Sequence, residues 1–491
     1  MSSFIPANLP AGLVEPGIYA SLVMGSDPGL SRPGNRALLF GFMSSGYPGV
    51  PDEPKTFVSL DEVRATFGPK SMIAHRFATA KKRIPVGFEA VLVPLLEPSS
   101  GTASAVTFEI TGEPVAGVLS SATAASSYDT VRVTLRGRGV SVGIRKDEDW
   151  ATIATNIKTV WDELLDAPAT MTRASAALTL TAPHKGAFDN GALEITFASN
   201  GASGIAAKLG TVTVAGVAGG SGTVKVTMGK HVSTADIAAA ATAAIAGTAI
   251  LSKVNSTSNP VRLAQPSSAT GTLTILAVNG RPVRPLKIST LATGISPQTV
   301  TTSTGTAGAG NPSLTQALAN IEALDEGFRV WAPFWYTTSE VSAVAASIEL
   351  QALPPVQKGQ CAVFATTASL AELGATNLAT ATTPRLDSSY RFPLLWAQCA
   401  PNADWELSAQ LAASIAAEED AGRNWNGFTF VGDSDAPIVP THSSDRPNRD
   451  ERNTAIAVYR HSPVTVNSAG LMTLTFGGNS YKPKGFKDDK Y

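Results

Sequence analysis

The sequence predicts an α/β fold (α+β overall): a discontinuous α/β core, interrupted by a β-rich duplicated α+β insertion and preceded by an extended N-terminal arm. Three observations carry this expectation. Apolar strand-like runs alternate with amphipathic helical stretches in 31–97 and again in 311–480, the pattern of a sheet covered on both faces. Between them, 98–310 turns to Thr, Ser, Ala and Gly, and aromatic residues become scarce. Residues 1–30 hold Pro6, Pro10, Pro16 and Pro28, which suit an extended segment.

Within the arm, 18–24 is the one strand-forming run. Ile18, Ala20, Leu22 and Met24 share one face, and Tyr19, Ser21 and Val23 share the other. In the core, 36–42 is a short apolar run suited to a buried strand. Ser59 with Glu62 three residues later has a capping-box pattern and opens a helix over 59–67. Gly68-Pro69 stops it, a second helix covers 71–82, and 88–96 forms the next strand.

The insertion contains an apparent repeat. A strand at 131–135 leads to a helix over 149–165 and strands at 177–182 and 192–197. The order recurs with a strand at 224–228, a helix over 234–246 and strands at 260–264 and 271–276. The offset is roughly 80–90 residues, so 98–215 and 216–310 read as two related modules, each with its own small core. Chance similarity among Thr/Val strands is the competing account. The insertion could then be excised by joining Pro98 to Gly310.

After 301–310, Asn311-Pro312 reads as a cap and first-turn proline for a helix carrying Leu314, Leu318, Ile321 and Leu324. Strands at 328–334, 361–366 and 392–398 alternate with helices at 339–351, 369–377 and 404–421. A helix starts at Asp445, a hairpin pairs 464–467 with 471–476, and 481–491 is a basic tail.

Composition narrows the function. With 491 residues, 38 Lys and Arg balance 39 Asp and Glu, a formal charge of −1. Such a chain has no overall field to attract nucleic acid or an anionic membrane. Charged residues are only 16%, below the roughly 25% of an average soluble protein, which leans towards a surface covered by partners. No run approaches the ~20 apolar residues of a membrane span; the best, 238–251, is broken by Thr242, Gly247 and Thr248. The start, Met1-Ser-Ser-Phe-Ile-Pro6, lacks a basic segment and an apolar core, so no secretory signal is expected. Cys361 and Cys399 are expected to be free thiols in a protein made in the cytosol.

Catalytic patterns are missing. There is no P-loop, no C-x-x-C and no H-E-x-x-H, and Gly137, Gly139 and Gly143 have the wrong spacing for a dinucleotide loop. The histidines, His75, His184, His231, His442 and His461, are scattered, so no metal or cofactor is expected. One constellation has chemical content. Ser434 in Gly432-Asp-Ser-Asp435, with His442 and Asp445 downstream, could form a hydrolase site. The loop leads to Pro437 and Pro440 and not to a helix, and the same four residues suit an ordinary Asx-type turn. Lys81-Lys82-Arg83 lacks interleaved aromatics and reads as a cap on a helix end. Arg446, Arg449, Arg452 and Arg460, mixed with Asp450 and Glu451, form either an internally paired set or a protein-contact face.

Several segments, taken in order, resemble the contractile tail sheath proteins of Mu-like bacteriophages. They are Ile5-Pro-Ala-Asn-Leu9 with Pro16-Gly-Ile-Tyr-Ala20, Arg36-Ala-Leu-Leu-Phe-Gly41, Phe67-Gly-Pro-Lys-Ser-Met72, and Val93-Pro-Leu95. His184-Lys-Gly186 with Asn190, Asn311-Pro-Ser-Leu314 with Ala317-Leu318, and Asp445-Arg446 with Glu451-Arg-Asn453 continue the series. The resemblance implies a non-enzymatic virion protein, assembled in the host bacterial cytoplasm, that forms a helical polymer of six-fold rings with itself. Its other implied partners are the tail tube protein and the baseplate and neck or tail-terminator proteins, without direct nucleic-acid contact or membrane insertion. Contraction would drive the tube through the host envelope without nucleotide hydrolysis. No short family motif marks tube-contact residues, so none is assigned. The arm strand Ile18, Tyr19, Ala20, Ser21, Leu22, Val23 and Met24 is expected to pair with a sheet edge of a neighbouring subunit. The insertion is expected at the outer radius. The competing readings are a virion-associated hydrolase using Ser434 and His442, and a surface adhesin or decoration protein.

Overall fold

Ala37–Phe42 (ALLFGF) and Ala90–Leu95 (AVLVPL) are buried at every position, as parallel strands covered on both faces must be. The computed structural model describes residues 36–83, 89–164, 167–266, 271–324, 327–334, 338–353, 360–375, 393–417, 429–430, 439–440, 442–466 and 472–474. The arm strand 18–24, Ser434 and the tail 481–491 lie outside them. The fold is α+β, built from several sheets with helices packed against them.

One five-stranded sheet draws on both sides of the insertion. Its order is Cys361–Ala362, Val330–Ala332, Ala37–Phe42, Ala90–Leu95 and Lys55–Phe57, parallel except for the last pair. The helix Met72–Arg83 lies on this sheet, where Gly41 permits the contact. A Cβ there would come within 2.9 Å of the Ile73 Cα. Helix Asp404–Ala417 is buried along most of its length and packs on Met72–Arg83. Arg76 sits between them with no carboxylate partner among the described residues. Its guanidinium donates to the carbonyl of Phe40, to the Pro333 carbonyl at 3.2 Å and to Ser408 Oγ at 2.9 Å. Burial pushes it down to about 9.

The apolar run expected as one strand over 361–366 is divided. Cys361–Ala362 completes the first sheet, whereas Phe364–Thr366 joins a second with Leu394–Trp396, Ser462–Val466, Met472–Leu474 and Thr429–Phe430. Val363 is the crossing point: its N–H bonds the Trp331 carbonyl, and the next N–H bonds Pro393. A continuous buried run carries no period that could mark such a break.

The insertion leaves and rejoins the core at one place, where the Thr102 and Ala309 backbones exchange hydrogen bonds. Within it the order hairpin, helix, strand and strand occurs twice. Hairpins Asp129–Leu135/Arg138–Ile144 and Gly222–Met228/His231–Ile237 precede helices Trp150–Asp162 and Ala243–Asn255. The helices start at 150 and 243, an offset of 93. Each is capped by a side chain, Asp149 to the Thr152 N–H and Thr242 to the Ile245 N–H. Two residues before each cap, Asp147 and Ala240 hold φ near +60°.

Two expectations fail here. The second helix does not begin at Thr234, because 231–237 alternates buried and exposed residues as the return strand of the hairpin. The alanine-rich run becomes helical only past Thr242. Nor do the modules have separate cores. Strand Ile205–Ala215 pairs with Ala103–Gly112 of the first and Thr272–Ala277 of the second. One apolar cluster therefore runs from Val106 and Trp161 through Ile250 to Ile295.

Local boundaries shift elsewhere for physical reasons. Ser59 is at the N-cap position of Leu60–Phe67 but makes no side-chain cap bond. The helix expected from Asn311-Pro312 starts at Thr315, with buried Leu314 at the cap position. The helix expected from Asp445 starts at Arg449, after Pro447, because Asn448 and Glu451 form the capping box.

Candidate functional site: the seam between insertion and core

The equivalent hairpin tips of the two repeats both dock on the core. At the first tip, Arg136 and Gly137 turn the chain with positive φ. Arg136 NH2 donates to Asp189 Oδ1 at 3.1 Å, and its guanidinium lies 5.0 Å over the Trp405 ring. Trp405 Nε1 donates to the same Asp189 oxygen at 3.2 Å. Beside this cluster an apolar plug enters the core. Phe188 stacks 5.2 Å from Phe42 and 5.3 Å from Phe334, and Ala192 joins the same core cluster. Asn190 ties the plug to both connections of the insertion, accepting from Gly308 N at 2.6 Å and Ser104 Oγ at 2.7 Å.

At the second tip, Lys230 Nζ donates to the Arg446 carbonyl at 2.6 Å and to Glu451 Oε2 at 3.3 Å. His231 bonds Asp445, and Arg281 reaches the same carboxylate at 3.0 Å and Ser444 Oγ at 2.6 Å. Burial acts to raise the Asp445 carboxyl, but the His231 bond and the Arg281 charge outweigh it and hold it below the usual range. Between the tips, Arg284 pairs with buried Glu194 at 3.0 Å and donates to Thr367 Oγ1 at 3.0 Å and the Ala400 carbonyl. For Glu194 burial prevails, and its carboxyl is raised despite Arg284. Lys287 and Glu372 form a more open bridge at 2.8 Å. The seam is thus an apolar plug between two polar clamps whose buried charges are paired.

Strand Ala177–Lys185 supplies one more contact. His184 Nε2 accepts the Met72 N–H at 3.0 Å, at the start of helix Met72–Arg83, and its Nδ1 meets Glu97 Oε1 at 2.7 Å.

Of the competing hydrolase constellation, Ser434 lies outside the described residues, and the two described members, His442 and Asp445, are engaged elsewhere. His442 is exposed, and the nitrogen a triad acid would hold, Nδ1, is taken by Ser444 at 2.6 Å. Asp445 faces the insertion instead. Of the arginine set, Arg446 Nε donates to the Pro440 carbonyl at 2.8 Å and Arg452 NH1 to the Pro447 carbonyl at 2.9 Å. Arg449 is exposed, and Arg460 is half-buried with φ of 58°. Cys361 Sγ donates to the Arg329 carbonyl at 3.4 Å, and burial pushes the Cys399 thiol up to about 11, which disfavours its thiolate at neutral pH. No group of three metal-ligating side chains occurs among the described residues, and no helix there is long and apolar enough to cross a membrane. Sequence reading missed Glu194, Arg281 and Arg284. The available signal was their charge in a stretch otherwise poor in charged residues.

No family model matches the chain, and no curated protein does. Among solved structures it is similar to a sheath tail protein from Desulfitobacterium hafniense, with 12% identity and a TM-score of 0.37 over 95% of this chain and 75% of that one. It is also similar to a flagellar cap protein from Helicobacter pylori, with 10% identity and a TM-score of 0.15 over 43% and 60%. The D1-D2-D3 domains of the Escherichia coli flagellar cap protein give 10% and 0.14 over 65% and 74%. Likeness at this level assigns neither family nor activity.

Proposed function

We propose that the chain is a contractile tail sheath subunit, a structural virion protein and not an enzyme. It polymerises with itself into stacked six-fold rings around a tail tube and is bounded by baseplate and neck or terminator proteins. The supporting observation is where the sheath-like segments fall. Met72, His184, Asn190, Asp445 and Glu451, all within those segments, are among the residues that hydrogen-bond along the seam and the insertion's exit. A motif series that fixes how an insertion sits on its core suits a rigid building block. In this reading the free energy of contraction resides in the lattice, with rigid subunits held in two packings. The arm strand 18–24 adds to a neighbour's sheet edge, the insertion sits at the outer radius, and exposed Arg449 is available to another chain. Electron microscopy of the purified protein tests this: tubes or rings are expected, and compact particles alone would favour the adhesin or decoration reading. A hydrolase reading draws no support from Asp445, which His231 and Arg281 occupy.

A further inference from the structure

Three of the five histidines in the chain, His75, His184 and His231, face the seam. Two of them work as acceptors. His75, on helix Met72–Arg83, takes a hydrogen bond at Nδ1 from Arg138 NH1 at 3.2 Å, since a guanidinium can only donate. His184, on the insertion, takes the Met72 N–H at Nε2. The two bonds run in opposite senses across the same boundary, one turn apart on one helix. An imidazole keeps an acceptor nitrogen only while neutral, so a proton on either ring sets donor against donor.

We propose that His75 and His184 form a proton-operated latch that holds the insertion against the first turn of helix Met72–Arg83 at neutral pH and releases it on acidification. The surroundings of His75 all oppose a charge there. Arg138 and Arg136 face it from the hairpin tip, Arg64 from helix Leu60–Phe67, and His184 from the insertion strand. Its Nε2 is buried without a partner among the described residues, so no acceptor offsets an added charge. Burial first, then these cations, lower His75 to about 3. A histidine lowered in the docked state favours docking above its free value of ~6.5, and that contribution is lost as the pH falls towards the docked value.

His184 faces mixed charges. Its bond and charge help hold Glu97 below the usual carboxylate range, and Lys185 lies beside that carboxylate. A proton on His184 Nε2 removes the acceptor of Met72 and adds a positive group facing His75. The second tip differs in its surroundings: His231 Nε2 lies between the Asp445 carboxylate and Arg281 NH2 at 3.4 Å, so a proton on that ring meets a carboxylate as well as a cation. Release is confined to the first tip.

Hydrogen exchange on the full-length chain at about pH 7.5 and about pH 4.5, on either side of ~6.5 and corrected for intrinsic rates, tests the latch. Peptides covering Met72 and the 131–144 hairpin should lose protection by at least about tenfold in acid, one pKa unit of linkage, while peptides covering 222–237 keep theirs. The double variant His75→Gln and His184→Gln retains acceptors without titrating, and should be protected equally at both values. A wild type without acid loss, or a double variant with the same loss, overturns the proposal. Should the double variant misfold, histidine ¹⁵N shifts of the wild type decide: His75 Nδ1 or His184 Nε2 protonated at neutral pH also overturns it.

Discussion

Replacing Arg284 by Met isolates the buried charge that holds the middle of the seam. Glu194 loses its counter-ion while only 5% exposed, and breaking a buried pair from one side costs about 3–5 kcal/mol. The cost comes from the carboxylate left behind, so adding Glu194→Leu should recover most of it. A deficit of about 1–3 kcal/mol should remain, because Thr367 Oγ1 and the Ala400 carbonyl also lose their donor, at about 0.5–1.5 kcal/mol per bond. The deficit should also depend on pH. Glu194 is raised by burial, so its stabilising contribution is fully present below the ordinary carboxylate value of ~4.3 and is lost as pH rises through the folded value. Without Arg284 the folded value rises further, and the deficit of the single variant shrinks on acidification. Urea unfolding by tryptophan fluorescence, with hydrogen exchange of 281–293 and 364–375, reads these effects. A single variant within about 1 kcal/mol of wild type, or a double no more stable than the single, would refute the counter-ion account.

Arg76 differs: Arg76→Met removes a buried cation with no carboxylate partner among the described residues but takes the donor from the Phe40 and Pro333 carbonyls and Ser408 Oγ, at about 0.5–1.5 kcal/mol per bond, so urea unfolding should show a net loss smaller than that of Arg284→Met. Phe188→Ala empties the plug between Phe42 and Phe334, with an expected loss of about 3–5 kcal/mol and faster exchange of the seam peptides. Excising 98–310 across Pro98 and Gly310 should close geometrically but expose Phe42, Phe334 and Trp405; light scattering should show aggregation unless these are made polar. Leu22→Asp should leave a soluble folded chain that forms no tubes in electron micrographs. Normal tubes would exclude arm exchange.

Sequence pattern alone located the buried strands around Leu38 and Leu92 and a helix beginning near Asp149, because each rests on local periodicity. Its errors fall where local signals agree with two structures. Alanine-rich 238–246 suits a helix anywhere along it, and the position of Thr242 and the hairpin before it set the start. The apolar run 361–366 suits one strand, yet two sheets compete for it and Val363 is where it crosses. The seam was invisible for a different reason. Glu194 and Arg284 are 90 positions apart and His231 and Asp445 are 214, and no spacing rule connects them. Composition and pattern determined which segments become strands and helices, since those choices depend on neighbours three or four residues away. Only the tertiary structure decided that two modules share one core and that scattered charges meet in pairs, because burial brings together side chains that the chain itself keeps apart.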